Sequence, residues 1–314
     1  MSAYGSGWPS SGVVPPPGDD VIAAALAEDL GVALERILSA PLVGRDLLAR
    51  DVTSAATVAA GTVFRGTIAA REDGVVCGLP YVARTFEMLA RAAAAVPPAV
   101  ALLVDDGAPV APGIAVATIE GDAHVVLAAE RTALDLLMIL SGIATEARRW
   151  QRAAGERLAV TDTRKTLPGM RALSKYAVAT GGAHNHRAGL FDMVLVKDNH
   201  IAQAGSCYGA HRDLREIPTR RPSDLEADSV EQAVAAALAG ADYVLLDNMD
   251  DATLVDAVRV VRDAAGDRAC LTEASGRITF ERLPALVATG VDRVSTSALT
   301  FARPLDFGLD LREV

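Results

Sequence analysis

Two hydrophobic rhythms divide the chain near Arg149 to Gly155. Before that point the spacing is mixed. Asp20 to Leu30 reads as a helix start, and a Leu/Arg-rich segment continues through Arg50. Thr62–Ala70 reads as a strand, and Gly74–Gly78 as a turn into another. Val82–Ala95 has helical spacing, after which Gly107, Pro109, Pro112 and Gly113 mark a return to strand. Leu127–Ala147 is helical again, with Leu134, Leu137, Met138 and Ser141 on one stripe. This pattern predicts an α+β region.

Beyond Gly155 short apolar runs end in polar residues: Leu158–Asp162, Met193–Asp198, Leu225–Ala227, Tyr243–Asp247, Ala269–Glu273 and Arg293–Thr296. Helical segments such as Val230–Ala239, Ala252–Ala264 and Glu281–Ala288 separate several of them. Strand–helix alternation predicts parallel strands with right-handed crossovers. With no Gly-rich nucleotide fingerprint after the first run, a barrel is favoured over a doubly wound sheet. Six runs fall short of a complete eightfold barrel, so the fold class is α/β with an incomplete parallel α/β barrel.

Composition narrows the function. At 51% hydrophobic and 22% charged residues the chain is ordinary globular protein, and 4% aromatics make its core Ala, Val and Leu. Cys77, Cys207 and Cys270 show neither pairing nor metal-ligand spacing, so reduced thiols in a cytoplasmic setting are expected. Met1 to Gly18 is Gly-, Ser- and Pro-rich, lacks the regions of a signal peptide, and reads as a flexible tail. No apolar run reaches the roughly 18 residues of a membrane span. A net charge of −10 argues against nucleic-acid binding, which wants a basic face. It also makes any local cluster of cations informative.

Such a cluster lies at the predicted strand ends, where barrels of this kind build their sites. Arg164, Lys165, His186, Arg187 and Lys197 fall between Thr161 and His200, and predict an anionic ligand. Arg171 and Lys175, spaced i, i+4, read as a solvated helix face. Glu226 and Asp247 end successive strands and suit Mg²⁺, sugar hydroxyls, or salt bridges to the cationic group. Ser275-Gly276 and Ser295-Thr296-Ser297 end the last two strands, where phosphate sites recur. His184 and His186 lack a third ligand at zinc spacing, and His124 and His211 read as surface or structural. His200 reads equally as an orienting residue or a direct contact.

The segment TDTRKTLPGMRALSKYAVATGGAHNHRAGLFDMVLVKDNHIAQAG resembles the quinolinate phosphoribosyltransferase family (nicotinate-nucleotide pyrophosphorylase, carboxylating) nearly throughout. AERTALDLLMILSGIAT, AREDGVVCGLP, DDGAPVAPG, ADYVLLDN, EASG and TGVDRVSTSALT extend the resemblance over the chain after Asp51. It implies an N-terminal α+β open sandwich, expected over 19–149 with about 300–314 returning to it. The incomplete barrel would then span 150–299. It implies cytoplasmic conversion of quinolinate and 5-phosphoribosyl-1-pyrophosphate to nicotinate mononucleotide, pyrophosphate and CO₂, with Mg²⁺, on the route to NAD. Arg164, Lys165, His186, Arg187 and Lys197 would line the dicarboxylate pocket, with Arg131 arriving from the partner in a homodimer. Glu226 and Asp247 would hold ribose and metal, directly or through water. Ser275, Gly276, Thr296 and Ser297 would hold the 5-phosphate, and Lys165, Glu226 and Asp247 carry catalysis.

The chain departs from the family pattern at Asp135, Ser297 and Phe301, at Arg220-Arg221-Pro222-Ser223-Asp224, which reads as a poor strand, and over Val32 to Arg50, which reads as an insertion. These departures leave room for an enzyme of a modified pyridine dicarboxylate. A non-catalytic relative binding oxyanions or pyridine acids is the reading from another class; it generally departs from the K-D-N-H pattern kept here. A class I aldolase-like barrel with Lys165 or Lys197 as Schiff base is disfavoured by the crowd of arginines and the lack of a partner base.

Overall fold

The computed structural model describes residues 17–32, 34–38, 44–197, 199, 200, 203 and 222–313. The tail through residue 16, Asp198, Cys207, His211, Arg220, Arg221 and part of the Val32–Arg50 segment lie outside the described residues. The described residues form two compact units. One takes in those up to Glu146, Leu167–Gly181, and those from Ala302 onward; the other comprises Ala147–Thr166 and Gly182–Phe301. Leu167–Gly181 therefore packs with the first unit, although the 150–299 span expected for the barrel includes it.

The first unit opens with helices α1 (Asp19–Asp29), α2 (Leu34–Leu38) and α3 (Val52–Thr57). Strands β1 (Val63–Ala70) and β2 (Gly74–Val75), helix α4 (Leu79–Ala92), and strands β3 (Ala99–Leu102), β4 (Pro109–Val110) and β5 (Ala115–Asp122) follow. In β1 the alternation buries Gly66, Ile68 and Ala70 on one face. The C-terminal strand Phe307–Glu313 pairs antiparallel with β1, β1 with β5, and β5 with β3. Helix α4 starts before the expected Val82 because Asp106 accepts the backbone N–H groups of Gly78 and Leu79, satisfying donors that a helix start leaves open.

Helix α5 (Ala123–Ala154) runs 32 residues, past both ends of the expected Leu127–Ala147. No proline interrupts it, and Gly155 closes it at φ +68°, a conformation open to glycine. Helix α6 (Arg171–Gly181) corrects one reading: Arg171 is exposed, but Lys175 is buried, so the pair is not one solvated face.

All six apolar runs of the second unit form strands: β6 (Ala159–Thr161), β7 (Val194–Val196), β8 (Ser223–Ala227), β9 (Tyr243–Asp247), β10 (Leu271–Ser275) and β11 (Arg293–Ser295). Helices α7 (Val230–Ala239), α8 (Asp251–Ala265) and α9 (Leu283–Thr289) separate the later ones. The sheet is parallel throughout, in the order β6-β11-β10-β9-β8-β7. Its end strands β6 and β7 do not pair with each other, so the barrel is open, as the count of runs predicts. Ser229 and Asp250 start α7 and α8 by accepting the amides of Gln232 and Thr253, while Gly240 ends α7 in the left-handed region.

Strand β8 overturns a second reading. Ser223 and Asp224 belong to a wholly buried strand, not to a poor one. Asp242 accepts both the Ser223 amide and hydroxyl, and the Asp224 charge meets Arg293 across the sheet. Buried polarity of this kind is tolerated where partners are supplied.

Candidate active site

Because the six strands are parallel, their C-terminal ends share one edge, and the side chains singled out by sequence gather there. Arg164 and Lys165 follow β6, Lys197 follows β7, Glu226 lies in β8, and Asp247 ends β9. Ser275-Gly276 and Thr296-Ser297 stand at the ends of β10 and β11. His184 continues β6 on its free side: it bridges Thr161, and its carbonyl accepts the Asp162 amide. Asp162 then accepts the His186 amide at 2.8 Å, which sets His186 and Arg187 beside the DTRK turn.

Arg164 and Arg187 stand together on the cationic side of the rim. Burial, and then the charge of Arg164, push the Arg187 guanidinium pKa below its ordinary value. Arg164 Nε is buried without a hydrogen-bond partner. Buried donors without acceptors are costly, and a ligand carboxylate supplies both acceptor and countercharge. Lys165 is exposed, and its backbone is pinned: its amide donates to Thr163 Oγ1, while its carbonyl accepts the Thr300 hydroxyl at 2.7 Å.

Lys197 ties the cationic side to the acidic one. Lys197 Nζ is 2.6 Å from Glu226 Oε2, and the Lys197 amide donates to His200 Nδ1. His200 thus orients the turn that carries Lys197. Glu226, Asp228 and Asp247 each offer a carboxylate oxygen, all within 4.8 Å of one another. Asn248 donates to Asp247 and holds φ +57°, and its amide donates to the Ser275 carbonyl. Gly276, at φ +78°, makes room for it: a Cβ there would lie 2.6 Å from Asn248 Cγ.

Beneath the rim lies a second polar layer. Arg293 donates from Nη2 to Asp224 at 2.7 Å and from Nε to Glu273, and its guanidinium stacks 3.8 Å above the Tyr243 ring. His186 Nε2 stands 3.5 Å from Glu273 Oε2 and 3.7 Å from Asp224 Oδ2. Burial disfavours the charged imidazole, while hydrogen bonds to Asp224 and Glu273 and the charge of Glu273 favour it. The second proton would sit on Nδ1, where the Arg187 amide already donates at 2.7 Å. The ring therefore keeps a single proton, on Nε2, for as long as that amide bond holds.

Residues 51–141 match the family model of the quinolinate phosphoribosyl transferase N-terminal domain, and residues 143–310 that of its C-terminal domain. The chain belongs to this family. It is 40% identical over 247 residues to the probable nicotinate-nucleotide pyrophosphorylase [carboxylating] of Synechocystis sp., covering 77% of this chain and 81% of that one. The human nicotinate-nucleotide pyrophosphorylase [carboxylating] is 38% identical, over 77% of this chain and 80% of its own. The crystal structure of NadC from Streptococcus pyogenes superposes with a TM-score of 0.83 at 30% identity, covering 97% of this chain and 99% of that chain.

Within this quinolinate phosphoribosyltransferase chain the remaining sequence-named residues fall as follows. Arg131 lies exposed on α5 in the first unit, where Asp135, one helical turn on, accepts from its guanidinium at 3.1 Å. Thr296 is buried, and its hydroxyl accepts the Ala298 amide. The Ser297 carbonyl accepts the Thr300 hydroxyl, while Phe301 is exposed. Sequence reasoning gave no role to Asp224, Arg293 or Thr300, and it placed Asp162, Asn248 and Glu273 at strand ends without giving any of them a task. Alternation was the available signal: Asp224 and Glu226, Glu273 and Ser275, and Arg293 and Ser295 are each two apart, hence on one face of their strands.

Proposed function

We propose that this chain transfers the phosphoribosyl group of 5-phosphoribosyl-1-pyrophosphate to quinolinate and releases pyrophosphate and CO₂, giving nicotinate mononucleotide. The carrying observation is that Arg164, with its buried Nε unbonded, and Arg187 share the strand-end rim with the Glu226–Asp228–Asp247 carboxylates. A pyridine dicarboxylate supplies two anionic groups to the first, and a ribosyl donor supplies hydroxyls to the second.

In this reading Arg164, Lys165, Arg187 and Lys197 neutralise the dicarboxylate and hold the ring nitrogen toward the ribose. Departure of pyrophosphate leaves positive charge on the sugar, which Glu226 and Asp247 favour by position. The alkylated pyridinium stabilises the electron pair that loss of CO₂ leaves on ring carbon 2, and a proton from solvent then takes up that pair, so no protein nucleophile is needed. Glu226, Asp228 and Asp247 form the hard-oxygen donor set that suits Mg²⁺, and would hold it. The metal would supply charge neutralisation to the pyrophosphate. We also assign Ser275, Gly276 and Ser297 to the 5-phosphate and Arg131 to a neighbouring subunit's pocket in a homodimer. No helix among the described residues is long and apolar enough to cross a membrane, which fits the cytoplasmic location we propose.

Incubation with quinolinate, the pyrophosphate donor and Mg²⁺ is expected to yield nicotinate mononucleotide by chromatography. Product from nicotinate but not from quinolinate would overturn the assignment.

A further inference from the structure

Arg293 stands at the start of β11, below the rim, and reaches across β10 and β9 to Asp224 in β8. Three groups fix it: Glu273 in the paired register position of β10, Asp224, and the Tyr243 ring under its plane. Only a planar fork meets all three, because separate nitrogens serve the two carboxylates while the plane rests on the aromatic face. The oxygens it holds, Asp224 Oδ2 and Glu273 Oε2, are the ones that face His186 Nε2.

On its other side the His186 ring is tied to the Arg187 amide through Nδ1, and its backbone to Asp162. His186 is therefore set between a fixed carboxylate floor and the backbone of a pocket arginine. Asp224 and Glu273 are wholly buried. Without Arg293 these two carboxylates would face one imidazole. The ring would then be drawn to a second proton, at the expense of the Arg187 amide bond.

We propose that Arg293 is a positioning residue for the acid pocket: it clamps Asp224 and Glu273 into the pair against which His186 rests, and thereby sets His186 and Arg187 toward the pyridine dicarboxylate. The proposal rests on the functional reading above. Arg293 itself makes no contact with substrate and acts through His186.

The test compares wild type with R293A, R293K and R293M. The KM for quinolinate is expected to rise about tenfold or more in R293M, with the KM for the pyrophosphate donor changed by less than about threefold. R293K should fall between the two, and millimolar methylguanidinium should restore part of the quinolinate affinity of R293A. Long-range ¹⁵N–¹H spectra of histidine-labelled protein should show an Nε2–H tautomer for His186 in wild type that is lost in R293M. If R293M does not fold, the D224N/E273Q/R293M variant removes the floor's charge while keeping its volume. That variant should show the same selective loss of quinolinate affinity. An unchanged quinolinate KM, or an equal rise in both KM values with unchanged His186 signals, would overturn the proposal. If wild type turns over no quinolinate, the functional reading fails, and the His186 spectra still decide whether Arg293 sets the ring.

Discussion

Lys197 Nζ lies 2.6 Å from Glu226 Oε2, so a cation assigned to the acid pocket is paired with a carboxylate assigned to the ribose. The lysine side chain is half exposed, and such a pair contributes about 1 kcal/mol or less to stability. Its use is to keep both groups in place before substrate arrives. K197M is expected to lower kcat/KM for quinolinate about a hundredfold while shifting unfolding free energy by less than about 1 kcal/mol. Steady-state kinetics beside urea unfolding checks both; a large stability loss with intact kinetics would reverse the assignment.

Gly276 bears on Asn248 as well as on any phosphate. A methyl group in G276A would meet the Asn248 amide and force a residue at φ +78° into strain. The expected cost is about 1–3 kcal/mol of stability and at least roughly tenfold in kcat/KM, because Asn248 holds Asp247. Thermal unfolding and donor titrations measure the two effects, and an N248A variant should share the kinetic defect without the backbone strain.

Thr300 joins the turn after β6 to the turn after β11: its hydroxyl lies 2.7 Å from the Lys165 carbonyl, and its one proton is shared with the Ser297 carbonyl at 3.1 Å. T300V keeps its shape and removes the donor. We expect a loss of about 1–3 kcal/mol, since a carbonyl is left short of a donor, and a several-fold fall in kcat through a looser Lys165. Crystallography of the variant with quinolinate would show the Lys165 backbone displaced.

Burial pushes the Cys77 thiol pKa well up, and the charge of Asp106 adds to this. Burial likewise lifts Cys270 to about 11. At pH 8 only about one Cys270 in a thousand is thiolate. Neither should react with maleimide in the native protein, and both should react fully in 6–8 M urea (roughly the range that unfolds small domains). Peptide mapping of labelled protein decides this.

Most of the rim was readable from sequence because Arg164, Lys165, Lys197, Glu226 and Asp247 close apolar runs, and local order carries that information. The floor was not. Asp224, Glu273 and Arg293 lie within three different strands, and only the sheet order brings them around His186. Read locally, Arg220 to Asp224 is too polar for a strand; Ser223 and Asp224 become one because Asp242, just before β9, and Arg293, from β11, supply partners. Lys175 misled for the same reason, since helical spacing does not reveal what covers a face. The length of α5 was underestimated at both ends, where nothing in its Ala-rich sequence marks a stop before Gly155.

The central claim is tested most directly by following quinolinate labelled at its 2-carboxylate through a single reaction with the donor and Mg²⁺. The account predicts one labelled CO₂ per nicotinate mononucleotide formed, and no label release when the donor is omitted. Label retained in the nucleotide, or CO₂ released without the donor, would contradict it.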